Sequence, residues 1–126
     1  MLTLAIRLAC AVPIFAGAAG AVLGVAALGE AGGPAMGSHL RYLSGLLLGM
    51  GKMAFWCAGD LRRRGAVFSA LCGIFVLGGL ARALGVMIEG APPWPHLLAL
   101  GMELGVVPAL WLWARRIMGR SRPIEY

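Results

Sequence analysis

Charged side chains are scarce in this sequence. Only 13% of the 126 residues are Asp, Glu, Lys or Arg, and the acidic residues number five. Hydrophobic residues make up 60% of the chain, which is well above their share in soluble domains. This balance excludes an ordinary soluble globular protein, and it is typical of an integral membrane protein.

Motifs for catalysis and for metal binding are missing as well. The sequence contains no G-x-S-x-G, no H-E-x-x-H and no Gly-rich phosphate loop, which are the patterns of common hydrolase, zinc and nucleotide sites. Its two histidines, His39 and His96, lack nearby Cys or carboxylate ligands, and its three cysteines form no C-x-x-C pair. We therefore expect no enzymatic activity, no metal, no cofactor and no disulfide.

Four apolar segments fill most of the length. Each is close to the roughly 20 residues that a helix needs to cross the hydrocarbon core, and the short segments between them are rich in residues that end helices. The first is also too long for the core of a cleaved signal peptide. The sequence predicts a single all-α domain, residues 1–126, folded as an integral membrane four-helix bundle with up-down-up-down topology and spans at about 2–28, 40–58, 66–88 and 94–114.

The positions of the arginines predict the orientation. Lys and Arg in short connections are retained on the cytoplasmic side, and the expected topology anchors are Arg62, Arg63, Arg64, Arg115 and Arg116. An even number of spans then places both termini in the cytoplasm. We expect a multi-pass protein of the bacterial inner membrane, with the lipid bilayer as a partner. The net charge of +6 does not indicate nucleic-acid binding, because no recognition module accompanies it.

Glycines recur at positions suited to helix packing. Glycines four residues apart form a groove that a neighbouring helix can enter. The pairs are Gly20 with Gly24, Gly45 with Gly49 and Gly101 with Gly105, and Gly78 lies on the third span. The pattern favours contacts within the bundle, and it leaves open self-association or a larger complex.

Ionisable residues inside the predicted spans are the most informative feature. Arg82 and Glu103 lie at similar depths on two spans joined by a short turn, so the spacing predicts an ion pair in the outer half of the bundle. Arg41 and His96 complete a candidate polar cluster, whereas Lys52 is interpreted as a residue that reaches the inner interface. The cluster either fixes the register of the helices or forms a pocket for an anionic or polar small molecule.

Several short motifs resemble one known family. They are Arg41-Tyr42-Leu43-Ser44-Gly45, then Gly78-Gly79-Leu80-Ala81-Arg82, then Gly90 with Pro92, and finally Glu103 with Pro108. Together they resemble the bacterial four-helix membrane family called domain of unknown function 4345, over residues 12 to 116. The resemblance implies a four-helix membrane bundle, draws attention to Arg41, Arg82 and Glu103, and implies no activity. Lys52 and Pro13 depart from that pattern.

Two hypotheses about function follow. The first is a noncatalytic membrane protein that serves as an accessory or structural subunit and packs against a larger membrane complex. The second is a protein that binds or transports a lipid, a quinone or an anion through the Arg/Glu cavity. An accessory subunit should tolerate simultaneous apolar replacement of Arg82 and Glu103, whereas a ligand-binding protein should lose binding in each single variant and in the double variant.

Overall fold

The computed structural model describes residues 1–28 and 32–119, and the backbone there is almost entirely helical. Residues 29–31, which fall between the first two predicted spans, lie outside the described residues. The chain divides into two compact units, one holding Thr3–Gly59 and one beginning at Asp60. The helices are α1 (Leu2–Leu23), α2 (Pro34–Ala58), α3 (Leu61–Glu89), α4 (Trp94–Gly101) and α5 (Val107–Gly119); a 3₁₀ turn, Gly24–Leu28, follows α1, and a π-helical turn, Met102–Val106, joins α4 to α5.

The first unit is a helical hairpin in which α1 and α2 run antiparallel. A Cβ placed on Gly20, late in α1, would lie 2.9 Å from the Cβ of Ser44, early in α2. At the other end of the hairpin, a Cβ on Gly51 would lie 3.2 Å from the backbone N of Ile14. Because late residues of α1 meet early residues of α2, the two helices pack in opposite directions and at close range.

Glycine ends α1 earlier than the sequence predicts. Gly24 has φ +62° and its N–H donates to the carbonyl of Gly20. A residue with a side chain is strained in this backbone conformation, so a glycine at this position favours the end of the α-helix. The predicted span 2–28 is therefore an α-helix that changes to a 3₁₀ turn at Gly24.

Among the residues that the structure describes, three helices are long and apolar enough to cross a membrane: Leu2–Ala26, Leu61–Glu89 and Trp94–Gly119. The 25 residues of α2 are not among them. This helix begins at Pro34, six residues before its predicted start, because proline fits the first turn of a helix, where its missing N–H has no partner to lose. The polar residues of this added segment, together with Arg41 and Lys52, lower the hydropathy of α2.

The third helix begins where the sequence predicts a loop. The sequence predicts that residues 59–65 connect two spans, yet α3 starts at Leu61. Asp60 provides the reason, since its side chain accepts a hydrogen bond from the backbone N–H of Arg63 at 3.3 Å. An aspartate at this position satisfies one of the unpaired N–H groups of the first turn.

The second unit is also an antiparallel pair, formed by α3 and the continuous helix α4–π–α5. Three contacts follow one another along the pair. A Cβ on Gly79 would lie 2.8 Å from a methyl of Leu104. Farther along, Trp111 is hydrogen-bonded to Ser69, and Met118 lies against Gly65. Its buried side chains include Phe68, Leu71, Cys72 and Ala114.

Candidate functional site

A tight turn positions the polar cluster of the second unit. Gly90, with φ +96°, ends α3, and Pro93 with an extended backbone precedes α4. The turn returns the chain alongside the end of α3 after four residues. Arg82, about 10 Å before that end at 1.5 Å per residue, therefore faces the first turns of the returning helix.

A π-helical turn carries the acidic member of the cluster. Glu103 lies within Met102–Val106, and the N–H of Val107 donates to the carbonyl of Met102, five residues earlier. Pro108 explains the change of pitch, because a proline cannot donate to the carbonyl four residues before it and its ring crowds that carbonyl. Turns of this kind occur often at functional sites. Here the turn sets the position of the Glu103 carboxylate.

Arg82 and Glu103 form a two-point ion pair. The Nε of Arg82 donates to Oε2 of Glu103 at 3.1 Å, and Nη2 donates to Oε1 at 3.3 Å. The Glu103 side chain is 14% exposed and that of Arg82 is 33% exposed. Both carboxylate oxygens are thus occupied by one planar guanidinium, the geometry in which Arg-carboxylate pairs are strongest.

His96 completes the cluster from the first turn of α4. Its Nδ1 lies 3.1 Å from Nη1 of Arg82. Arginine has no acceptor, so Nδ1 must accept the hydrogen bond and the proton of the neutral ring resides on Nε2. Three nitrogens of Arg82 are therefore engaged, and the Arg82–Glu103–His96 cluster carries no net charge.

Close backbone approach makes this arrangement possible. A Cβ added to Gly79 would lie 2.8 Å from Cβ of Glu103 and 2.9 Å from Cγ of Leu104. Any larger residue must push the π turn away from α3. Gly79 is thus a packing glycine of the second unit, next to the predicted Gly78.

Arg41 has partners of its own in the first unit. Its Nη1 donates to the carbonyl of Ala21 at 2.8 Å and to that of Val22. Carbonyls in the last turn of a helix lack partners within the helix, and a cation there interacts well with the helix dipole. Arg41 therefore caps α1, and a cavity shared by Arg41 with Arg82 and Glu103 stays a prediction.

The predicted packing glycines have different surroundings. Gly20 lies against α2, and Gly24 serves the turn beside Arg41. At the other predicted glycines, an added Cβ would have no neighbour within 4 Å in the same described unit, apart from the adjoining backbone of its own helix. These glycines are Gly45, Gly49, Gly78, Gly101 and Gly105. The sequence pattern missed Gly17, whose added Cβ would lie 2.8 Å from the carbonyl oxygen of Ser44.

The predicted topology anchors lie at the other end of the second unit. Arg62, Arg63 and Arg64 belong to the first turn of α3, and Arg115 and Arg116 to the last turns of α5. Nearby, the indole N–H of Trp111 donates to Oγ of Ser69 at 3.0 Å. No pattern in the sequence predicts this contact between helices.

Comparison with known proteins identifies the family. Residues 1–114 match the family described as Domain of unknown function (DUF4345). The chain belongs to this family. The match includes α1 to α4, the first part of α5 and every member of the predicted polar cluster. No curated protein and no solved structure matches the chain.

The chemistry open to this DUF4345 chain follows from its cluster. A guanidinium, a carboxylate and a neutral imidazole can bind a polar group or hold two helices together. Within residues 1–28 and 32–119, no group of three or more metal-ligating side chains gathers, so the described residues offer no ready metal site.

Proposed function

We propose that this protein is a small, noncatalytic, multi-pass protein of the bacterial inner membrane that serves as an accessory subunit of a larger membrane complex. The observation that carries the proposal is the self-sufficient Arg82–Glu103–His96 cluster. Its hydrogen bonds are made within the chain, so the charges are used to fix α3 against the returning helix. Intramembrane charges that satisfy one another in this way suit a structural role.

The helix surfaces support a membrane setting. Large apolar side chains such as Phe15, Leu77 and Met87 are more than two-thirds exposed. In water such a surface would be an aggregation hazard, whereas in a bilayer it contacts lipid or another helix. The open glycine pairs Gly45 with Gly49 and Gly101 with Gly105 allow another backbone to approach closely.

A membrane-spanning role for α2 is part of the proposal. At about 1.5 Å per residue, its 25 residues extend about 37 Å, more than the roughly 30 Å hydrocarbon core. Arg41 and Lys52 lie about 10 Å from opposite ends, where one caps α1 and the other can extend to the interface. The ten residues between them carry no charge. Four crossings put the arginine-rich helix ends and both termini on the cytoplasmic side.

The mass of the native particle tests this function. The full chain, extracted gently from its own membrane, should migrate in an assembly much larger than its 13.1 kDa together with stoichiometric partners. The double variant Gly45→Leu, Gly49→Leu should release it, because nothing of its own unit occupies that face. Gly73→Leu, also at an open glycine, serves as the control. A lone bundle in the parent protein would refute the proposal.

A ligand-binding role is the second candidate, and the partial exposure of Arg82 favours it. A small anion or polar head group could then contact the remaining guanidinium N–H groups. Binding should disappear in Arg82→Leu, in Glu103→Leu and in the double variant, whereas an accessory subunit keeps its partners in the double variant. Equilibrium binding of candidate lipids, quinones and anions to the purified chain separates the two roles.

A further inference from the structure

A groove lies at the arginine-rich end of the second unit, away from the Arg82 cluster. It encloses about 720 Å³ between the start of α3 and the end of α5, a volume within the range of small-molecule sites. Seven residues line it: Arg62, Gly65, Ala66, Ser69, Arg115, Met118 and Gly119. Two cations and one hydroxyl thus border a space that small residues leave open.

One of the two cations is held in place by a chain of contacts. The guanidinium carbon of Arg115 lies 4.9 Å from the centre of a Trp111 ring, and the indole N–H of Trp111 donates to Ser69. A cation over an indole face is attracted by the ring. Ser69 and Trp111 therefore set the position of Arg115 at the groove before any ligand arrives, which lowers the entropic cost of binding.

The electrostatics favour an anion. Arg62 belongs to the first turn of α3, where the helix dipole adds positive potential. The one acidic side chain at this helix start, Asp60, lies 3.8 Å from Nε of Arg63 and accepts from the Arg63 backbone. The planar guanidinium group of arginine matches the oxygens of a phosphate better than the ammonium group of lysine does, and two arginines border this groove.

The length of the groove along α3 favours a lipid over free phosphate as its ligand. Arg62 and Ser69 are seven residues apart on α3, so the lining extends about 10 Å along the helix from its polar end. The lining also includes Ala66 and Met118, whose side chains offer apolar contact. We propose that this groove binds an anionic phospholipid, with the phosphate between Arg62 and Arg115 and the start of an acyl chain alongside Ala66 and Met118. The proposal does not depend on the accessory role.

The test is lipid retention by the full-length protein in detergent, measured by native mass spectrometry during titration with phosphatidylglycerol or phosphatidylcholine. We expect a clear preference for phosphatidylglycerol. In the variant Arg62→Gln, Arg115→Gln its affinity should fall about tenfold or more, from the worth of two surface cations against an anionic lipid. The matched control is Arg64→Gln, Arg116→Gln, which removes the same charge from the same helices outside the groove and leaves Asp60 with Arg63; it should change affinity less than threefold.

A second variant keeps the charge and fills the space. Ala66→Phe should reduce phosphatidylglycerol retention to a similar extent, with helicity by circular dichroism unchanged. Equal losses in the two double-arginine variants would overturn the proposal in favour of diffuse charge attraction. So would full retention by Ala66→Phe, or displacement of the lipid by millimolar inorganic phosphate.

Discussion

The most informative perturbation is removal of one or both members of the Arg82–Glu103 ion pair. Glu103→Leu leaves the Arg82 guanidinium without its two-point partner in an apolar setting, and loss of one member of a buried pair costs about 3–5 kcal/mol. We expect the lower end, about 3 kcal/mol, because Arg82 retains partial exposure and its long side chain can reach toward the interface. That cost is a change of roughly a hundredfold in the unfolding equilibrium.

The double variant Arg82→Leu, Glu103→Leu should behave differently. It leaves no stranded charge, so its free energy of unfolding should lie within about 1 kcal/mol of the parent protein. Glu89→Gln removes a charge at the exposed end of α3, the helix that carries Arg82, and should change stability by less than about 0.5 kcal/mol. This variant is the control for the loss of one carboxylate.

Reversible unfolding in mixed lipid–detergent micelles, followed by tryptophan fluorescence, compares the parent protein with the two single variants Arg82→Leu and Glu103→Leu, their double variant and the control. The expected pattern is two costly single variants, a near-neutral double variant and a near-neutral control. If the double variant instead lost as much stability as the two single variants combined, the two side chains would act independently. The reasoning from a shared, charge-balanced cluster would then be refuted.

Three further changes address other contacts of the second unit. Gly79→Leu should destabilise the fold by about 1–3 kcal/mol because its side chain has no room beside the π turn, whereas Gly78→Leu should be tolerated, and the same unfolding assay compares them. Trp111→Phe removes the hydrogen bond to Ser69, worth about 0.6 kcal/mol and at most about 1.7, and the cost of this change should be smaller by that amount when Ser69 is already alanine. Asp60→Ala should lower stability by about 0.5–2 kcal/mol through loss of the helix cap; hydrogen exchange confined to the first turn of α3 would report it, and unchanged exchange there would contradict the capping role.

Much of the helical architecture is predictable from the sequence because apolar length and helix-ending residues are local signals. The opposed positions of Arg82 and Glu103 also follow from helical rise and a short turn, so their contact needs no more than that the two helices pack. The predicted start of α3 is wrong by several residues. The sequence interpretation treats the run of arginines as a loop, whereas the Asp60 side chain caps a helix that includes them. Helix caps depend on one side chain, which averaged hydropathy does not resolve.

Details of packing are less accessible from sequence. The spacing of glycines identifies small-residue faces, but it does not say which face meets a neighbour, and the structure uses Gly17, Gly51 and Gly79 for close approach. The π turn depends on Pro108 acting on the backbone several residues earlier, which a regular 3.6-residue pattern cannot represent. The hydrogen bond from Trp111 to Ser69 joins residues 42 apart, so no local pattern predicts it.

The central claim is that the chain crosses the membrane four times, and it depends most on α2, a 25-residue helix that is not among the candidate spans of the described residues. Single cysteines at Gly33 and at Arg63, on either side of α2, can be labelled with a membrane-impermeant thiol reagent in sealed inside-out and right-side-out vesicles. The parent protein, whose three cysteines are buried, provides the background. The account predicts that Gly33→Cys is labelled only from outside the cell and Arg63→Cys only from the cytoplasmic side. Labelling of both from the same side would contradict it.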